Sequence, residues 1–389
     1  MKNMLQLQFK NFITLQRGFD LPKKDRVLGD YPVVASTAIN GYHAEHKVQP
    51  PGVVTGRSGS LGEVLYIDKP FWPLNTTLWV KDFIGNLPLY VYYFLKTLDL
   101  KQYNSGAGVP TLNRNHLDTL EIAIHDFQSQ RKIAFILSAY DDLIENNLRR
   151  IKILEEMAQA IYREWFVKFR FPGHEKTRMV DSPLGKIPEG WEIVPFKTLI
   201  NCVRDNTNAG DHLSDRLYVP IDCIPRHSLT LLEAKHWKEA KSSLILFEEG
   251  DILFGAMRPY FHKVVVAPFK GVTRTTCFVL RPKTQLFLAY ATMTAFQDET
   301  IGFASAHSRG ATIPYAVWDG SLAEMDVLLP SELVITKFSD ILSPILRLFQ
   351  AAYYKVFNLR RTRDLLLPKL ISGELDVSEL DIKTGGHMQ

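Results

Sequence analysis

The chain has 389 residues, of which 46% are hydrophobic and 23% charged. That composition is ordinary for globular protein and the length suits two domains, which excludes disordered and fibrous classes. Three cysteines (Cys202, Cys223, Cys277) give no even disulfide set and no close metal-ligand pair. They read as reduced thiols in a cytoplasmic protein. No apolar run reaches the length of a membrane span, and the N-terminus lacks the apolar core of a signal peptide. A net charge of +4 permits a polyanionic partner without demanding one.

Residues 1–127 are predicted as a first globular unit. Short β-rich runs (Pro32 to Ala35, Gly52 to Thr55, Val64 to Ile67, Thr76 to Val80) alternate with glycine and proline turns, and a helical segment follows over Leu87 to Leu98. Two glycine loops stand out. The first is Thr55-Gly56-Arg57-Ser58-Gly59-Ser60-Leu61-Gly62, which presents one arginine and two hydroxyls. The second, Asn104 to Pro110, precedes a strand-like Leu120 to Ile124.

A long helix is expected over 128–168, with Glu155 and Glu156 keeping its outer face wet. A Pro-Gly pair at Pro172-Gly173 breaks it, and a linker occupies 169–190. A second globular unit is expected over 191–329. There Gly250 to Gly255 leads into a strand, Ala256 to Tyr260 forms a loop, Thr275-Thr276 echoes Thr76-Thr77, and Gly310 to Pro314 echoes Gly106 to Pro110. A second long helix is expected over 330–373, bent or delayed at Pro344 and distorted at Pro368. The tail over 374–389 is polar, and its Gly385-Gly386 reads as disordered.

The two helices carry matching heptad seams. In the first the seam is Ile133, Leu137, Tyr140, Ile144, Asn147, Ile151, Leu154, Ala158, Ile161 and Trp165; in the second it is Phe338, Leu342, Ile345, Phe349, Ala352, Val356, Leu359, Arg363, Leu366 and Leu370. Steps of four and three bury such a seam against another helix. Ile136-Leu137-Ser138 aligns with Ile341-Leu342-Ser343, which together with the ordered echoes points to internal duplication. A rod of roughly 50 Å is excessive for one domain core and suitable for holding two domains apart. Antiparallel pairing puts the repeated domains at opposite ends; parallel pairing wastes the rod. Asn147 either fixes register or faces an exposed part of the seam. Arg363 is placed to reach Asp141 or Asp142.

Catalytic constellations are missing. Arg258-Pro259-Tyr260 lacks the parts of an adenine methyltransferase motif, no phosphate-binding loop occurs, and Gly56, Gly59 and Gly62 do not form a dinucleotide fingerprint. His43 and His46 are near neighbours without further ligands at metal spacing.

The run Tyr140 to Asn147 with Arg150 to Ala158 resembles the central conserved helix of type I restriction–modification specificity subunits. So do Phe169 to Glu175, Ile187 to Trp191, Arg363 to Gly373, and Gly250 to Gly255 with Arg258 to Phe261. The resemblance implies an α+β chain in which two duplicated α/β target-recognition domains are separated by a long two-helix antiparallel coiled coil, with pseudo-two-fold symmetry. Each domain would read one half of a bipartite site on double-stranded DNA, and the helices would set the unread gap. The subunit would be non-catalytic and bind no cofactor or metal. Two modification (methyltransferase) subunits would supply S-adenosylmethionine chemistry at adenine N6, and restriction subunits ATP and magnesium.

Arginine to guanine is the commonest base contact, and Lys, Arg, Ser and Thr reach phosphates. The DNA-contact candidates in the first domain are therefore Arg57, Ser58 and Ser60, with Asn40, Tyr42 and His43, then Asn75, Thr76, Asn104 and Ser105. In the second they are Arg258, Tyr260, His262 and Lys263, with Arg274, Thr275, Ser308 and Arg309. The plain alternative for each Arg or Lys is a solvated surface charge, which is the commoner case for any one residue taken singly, and for Tyr42 and Tyr260 a packing role. The other functional readings are a stand-alone DNA-binding regulator and a protein-interaction scaffold.

Overall fold

The computed structural model describes residues 4–106 and 108–382. Ala107 of the second glycine loop and the Gly385-Gly386 tail lie outside the described residues. The fold is α+β and divides into two compact units, residues 1–142 with 360–389 and residues 143–359. Each unit takes part of both long helices.

The first unit contains strands β1 (Met4–Gln8), β2 (Thr14–Arg17), β3 (Tyr31–Val34), β4 (Ile39–His43), β5 (Gly52–Gly56), β6 (Val64–Ile67), β7 (Trp72–Pro73), β8 (Thr77–Asp82) and β9 (Glu121–His125). A four-stranded antiparallel sheet has the order β2-β8-β5-β6. Its inner strand β5 is buried throughout, as its Val-Val-Thr centre suggests. A second sheet has the order β4-β3-β7, with β3 and β7 parallel, and β1 pairs with β9. Helix α1 (Pro88–Thr97) begins on a proline, whose missing N–H costs nothing at a first turn. It buries Tyr90 and Phe94 against Phe12, with the Phe12 and Phe94 rings 4.8 Å apart. The short α2 (Arg114–Asp118) follows the second glycine loop.

Helix α3 (Phe127–Tyr162) starts where the Asp126 carboxylate accepts from the backbone of Gln128 and Ser129. Burial works against that carboxylate, but the bonds from Ser129 and Gln128 hold it below the usual carboxylate range. In the first unit, Ile133 and Leu137 of α3 enter one core with Leu366, Leu367, Leu370 and Ile371, and the His125 ring Nε2 lies 2.9 Å from the Leu370 carbonyl. Arg363 donates to Asp141 at 2.5 Å, the ion pair anticipated from the sequence.

The second unit holds the later part of α3, which ends in a π-helical turn over Arg163–Val167. Its strands are β10 (Met179–Ser182), β11 (Gly185–Pro188), β12 (Glu192–Pro195), β13 (Ile200–Val203), β14 (Asn206–Asn208), β15 (Leu217–Tyr218), β16 (Lys235–His236), β17 (Ser243–Phe247), β18 (Ile252–Gly255), β19 (Val264–Val266), β20 (Gly271–Thr273), β21 (Cys277–Pro282) and β22 (Asp326–Leu329). The order β13-β21-β18-β19, all antiparallel, is that of the first unit's main sheet. In the five-stranded sheet β14-β17-β20-β15-β16, β15 pairs parallel with β20 and antiparallel with β16, as β3 does with β7 and β4. Strand β12 pairs with β22, and β10 with β11. Helices α4 (Phe287–Ala295) and α5 (Asp298–Ala306) precede α6 (Glu332–Ile371).

Helix α6 runs without a break through Pro344 and Pro368, the two positions expected to bend or distort it. Around Pro344 the residues Leu342, Ile345 and Leu346 are buried, so packing holds the turn that the missing N–H weakens. Pro368 lies in the last turn, and its carbonyl accepts from Ser372 N at 2.9 Å. Gly373 (φ +75°) then turns the chain in a conformation that a side chain would strain.

In the second unit Ala158, Tyr162 and Trp165 share a core with Val334, Phe338, Leu342, Ile345 and Phe349, while Leu154 and Ile161 are partly buried against it. Ile144, Ile151 and Val356 are also buried, and Ala352 and Leu359 are half-buried, as Tyr140 is in the first unit. Asn147 is buried and donates to the Leu143 carbonyl at 2.6 Å, a bond within its own helix. Glu155 departs furthest from the sequence reading. Its carboxylate is buried, and Oε1 accepts from Ser228 Oγ, Leu229 N, Thr230 N and Thr230 Oγ1 at 2.8 to 2.9 Å. Burial pushes its pKa up against those bonds.

Candidate nucleic-acid interface

The glycine loops sit at the ends of the main sheets and are held there by the same backbone bonds in each unit. In the first, Arg57 N and Ser58 N both donate to Thr76 O, Gly59 N to Pro110 O, and Leu112 N to Arg57 O. In the second, Ala256 N and Met257 N donate to Thr276 O, Arg258 N to Pro314 O, and Ala316 N to Ala256 O. These bonds place Thr276 opposite Thr76, one residue on from the alignment read from the sequence. They also place Arg258 (φ +52°) where the first unit has Gly59 (φ +90°), and Ala256 where it has Arg57. The left-handed turn is thus kept, and the side chains on it are not.

In the first unit the loops wall a cleft of about 730 Å³. Arg17 at the end of β2, Arg57 after β5 and Arg114 at the start of α2 line it, with Gln16, Asp20, Ser105, Asn113 and Asn115. Arg57 reaches the Asn75 carbonyl at 3.5 Å and Arg114 the Leu15 carbonyl at 3.3 Å, and the side chain of Arg17 takes no partner among the described residues. The one carboxylate, Asp20, accepts from the Asn75 amide. Three guanidinium groups against one carboxylate suit an anionic, hydrogen-bonding ligand such as a phosphodiester or a guanine edge. The sequence reading missed Arg17 and Arg114, which lie far from the glycine loop in the chain. Only the β2–β8 pairing and the Leu112–Arg57 bond bring them in.

Ser60 and Asn104 line a separate cleft of about 500 Å³ with Lys101. Asn104 Oδ1 is committed to the loop, accepting from Gly106 N and Thr111 N. The carbonyls of Ser58 and Thr76 both accept from Ser36 Oγ. Asn40 and Tyr42 lie on the exposed edge strand β4, one residue apart and hence on one face. His43 is different: its ring is buried, and Nδ1 accepts from Val27 N at 3.0 Å. It serves the fold.

The corresponding place in the second unit is a cavity of about 200 Å³ lined by Cys202, Arg204, Thr275, Phe278 and Trp318 among others. Trp318 stands where the first unit has Arg114, and Arg204 forms an ion pair with Asp319. Burial pushes the Cys202 thiol up to about 11 and the Cys277 thiol likewise, so both remain protonated. Here the cationic surface lies elsewhere. The Arg226 guanidinium sits 3.7 Å from the Phe261 ring and that of Arg258 5.9 Å from it, with Tyr260 edge-on at 4.9 Å. Arg274, Thr275 and Arg309 are exposed, while Ser308 Oγ donates to Ser305 O. Lys263 donates to the Ile221 carbonyl at 2.7 Å, and His262 is buried against Phe296. Of these two, His262 is buried and Lys263 is half-buried.

Among the described residues no helix is long and apolar enough to cross a membrane. Residues 6–156 match the family model described as the type I restriction modification DNA specificity domain. The chain is 26% identical over 333 residues to the type I restriction enzyme MjaIX specificity subunit of Methanocaldococcus jannaschii, covering 79% of this chain and 74% of that one. It is 30% identical over 115 residues to the MjaVIII specificity subunit of the same organism, covering 29% of this chain and 26% of the relative. Its fold is similar to the crystal structure of a type I restriction–modification S subunit from M. genitalium, with a TM-score of 0.61, 15% identity, and 95% of this chain and 96% of that one covered. Residues 6–156 thus match the type I restriction modification DNA specificity domain, and over most of its length the chain is similar to type I restriction enzyme specificity subunits.

Proposed function

We propose that each compact unit reads one half of a bipartite site on double-stranded DNA and that α3 and α6 pair antiparallel to set the gap between the halves. The observation that carries this reading is the recurrence of one loop scaffold with different side chains on it. Matching bonds to Thr76 and Thr276 hold the two loops, yet one presents Arg57 and Arg114 and the other Arg258 and Trp318. A repeated frame with altered side chains is what two readers of different half-sites need, and it supports duplication with pseudo-two-fold symmetry. The antiparallel pairing is supported by the contacts inside each unit. The start of α3 packs on the end of α6 in one, and the end of α3 on the start of α6 in the other.

As a specificity subunit the chain is a non-catalytic component of its complex. In the second unit α6 exposes Leu333, Ile341 and Leu348 at helical spacing, and α3 exposes Ile153 and Met157. Such apolar faces support docking of two modification subunits, which would carry S-adenosylmethionine, and through them restriction subunits using ATP and magnesium in the cytoplasm. Filter binding of the assembled complex across a salt series tests the DNA reading. Phosphate neutralisation makes affinity fall steeply with salt; an affinity indifferent to salt would favour the protein-scaffold reading.

A further inference from the structure

We propose that His227, His262 and Asp298 bind a divalent transition cation of the zinc type in the second unit. The three ligand atoms lie within 4.8 Å of one another. The two histidines are joined by a bond from His227 N to His262 O at 2.9 Å, and both hold left-handed backbone (φ +52° and +50°). Their rings lie 4.5 Å apart.

The polarity of the hydrogen bonds is the main argument. His262 is 4% exposed, and its Nε2 lies 2.8 Å from the Phe296 carbonyl. A carbonyl only accepts, so Nε2 carries the proton and Nδ1 of the neutral ring carries a lone pair. That lone pair faces Asp298 Oδ1 at 3.2 Å, and a carboxylate is also only an acceptor. Two acceptors at this distance favour a positive charge shared between them, such as a second proton on the ring or a bound cation. A cation held jointly by the ring nitrogen and the carboxylate satisfies both acceptors.

The geometry suits one. A metal-ligating histidine characteristically donates its other nitrogen to a carbonyl or carboxylate, and the Phe296 carbonyl fills that place here. Ligand bonds of about 2.0–2.2 Å set tetrahedral donors roughly 3.3–3.6 Å apart, close to the 3.2 Å between His262 Nδ1 and Asp298 Oδ1. The Asp298 side chain is 90% exposed and His227 is exposed, so both can swing onto the fixed His262. They open on a cavity of about 270 Å³ with room for water as a further ligand. Arg163 in its wall opposes a cation, and Glu299 beside it offsets that charge. A bound metal would clamp the segments on either side of Arg226 and Arg258 to α5. The coordination chemistry itself is independent of whether this unit reads DNA.

The test uses the full chain, stripped of metal with a chelator and dialysed. Zn²⁺ binding is followed by calorimetry and Co²⁺ binding by visible absorption, in the native chain and in His227→Ala, Asp298→Asn and the double variant. Both substituted side chains are exposed, and far-UV circular dichroism checks that the fold is kept. The expected result is one Zn²⁺ per chain, a Co²⁺ spectrum with nitrogen-ligand bands, and a loss of affinity of at least about tenfold in each single variant. No saturable binding by the native chain would overturn the proposal, and so would binding that survives unchanged in the folded double variant.

Discussion

Arg363 and Asp141 meet at 2.5 Å although they are set far apart in the sequence, and Tyr93 donates to the other oxygen of the same carboxylate at 2.6 Å. Arg363 occupies a seam position where the first helix has the small Ala158, so a cation replaces an apolar contact. Burial and the adjacent carboxylate push the Tyr93 hydroxyl up, which keeps it a donor throughout the usual pH range. Arg363→Ala should cost about 1–3 kcal/mol, since it strands a half-buried carboxylate. In a double-mutant cycle with Asp141→Asn, measured by chemical denaturation, the two losses should be clearly less than additive. Additive losses would mean that the pair contributes nothing.

Glu155 is expected to give the second unit a pH-dependent stability. Its folded pKa is raised, so its contribution is fully present below the unfolded value of about 4.3 and is lost as pH rises through the folded value. Thermal melts of the native chain should therefore lose stability with rising pH in that window, and Glu155→Gln should remove this component. All four bonds go to Oε1, which glutamine retains. Glu155→Ala leaves the buried Leu229 N–H unpaired and Thr230 N with only its long bond to Ser228 Oγ, and should cost about 2–4 kcal/mol. Equal losses from Gln and Ala would contradict this account.

How much could be read from the sequence depended on whether neighbours in space were neighbours in the chain. The helices were legible because a heptad seam is local, and α3 and α6 begin within two residues of the expected positions. Leu87 to Leu98 and Val64 to Ile67 were legible for the same reason. Glu155 was misread because its position within the helix pattern is polar, and only the 228–230 segment folding over it reveals the burial. The cationic cleft needed Arg17, Arg57 and Arg114 from three elements, and only the glycine loop announced itself. His43 and His262 read as DNA-contact candidates in sequence; in the fold their rings are buried, with bonds to the Val27 and Phe296 backbone.

Arg17 and Arg114 should contribute to DNA affinity more than to stability. Arg17→Ala and Arg114→Ala, in the assembled complex, should each lower the slope of log affinity against log salt by about 1 if the side chain meets a phosphate. An unchanged slope in both would remove the cleft from the interface.

The spacer role predicts a change in length without a change in sequence. Removing one heptad from α3 and the matching heptad from α6 should shorten the unread gap of the methylated site while both half-sites stay the same. A gap of unchanged length would refute the role of the helices as a ruler.

The most direct measurement is genome-wide mapping of methylated adenines in cells carrying the native chain or its Arg57→Ala variant. The account predicts that one half of the bipartite site is relaxed or lost, while the other half and the gap are unchanged. Equal loss of specificity in both halves would contradict two independent readers.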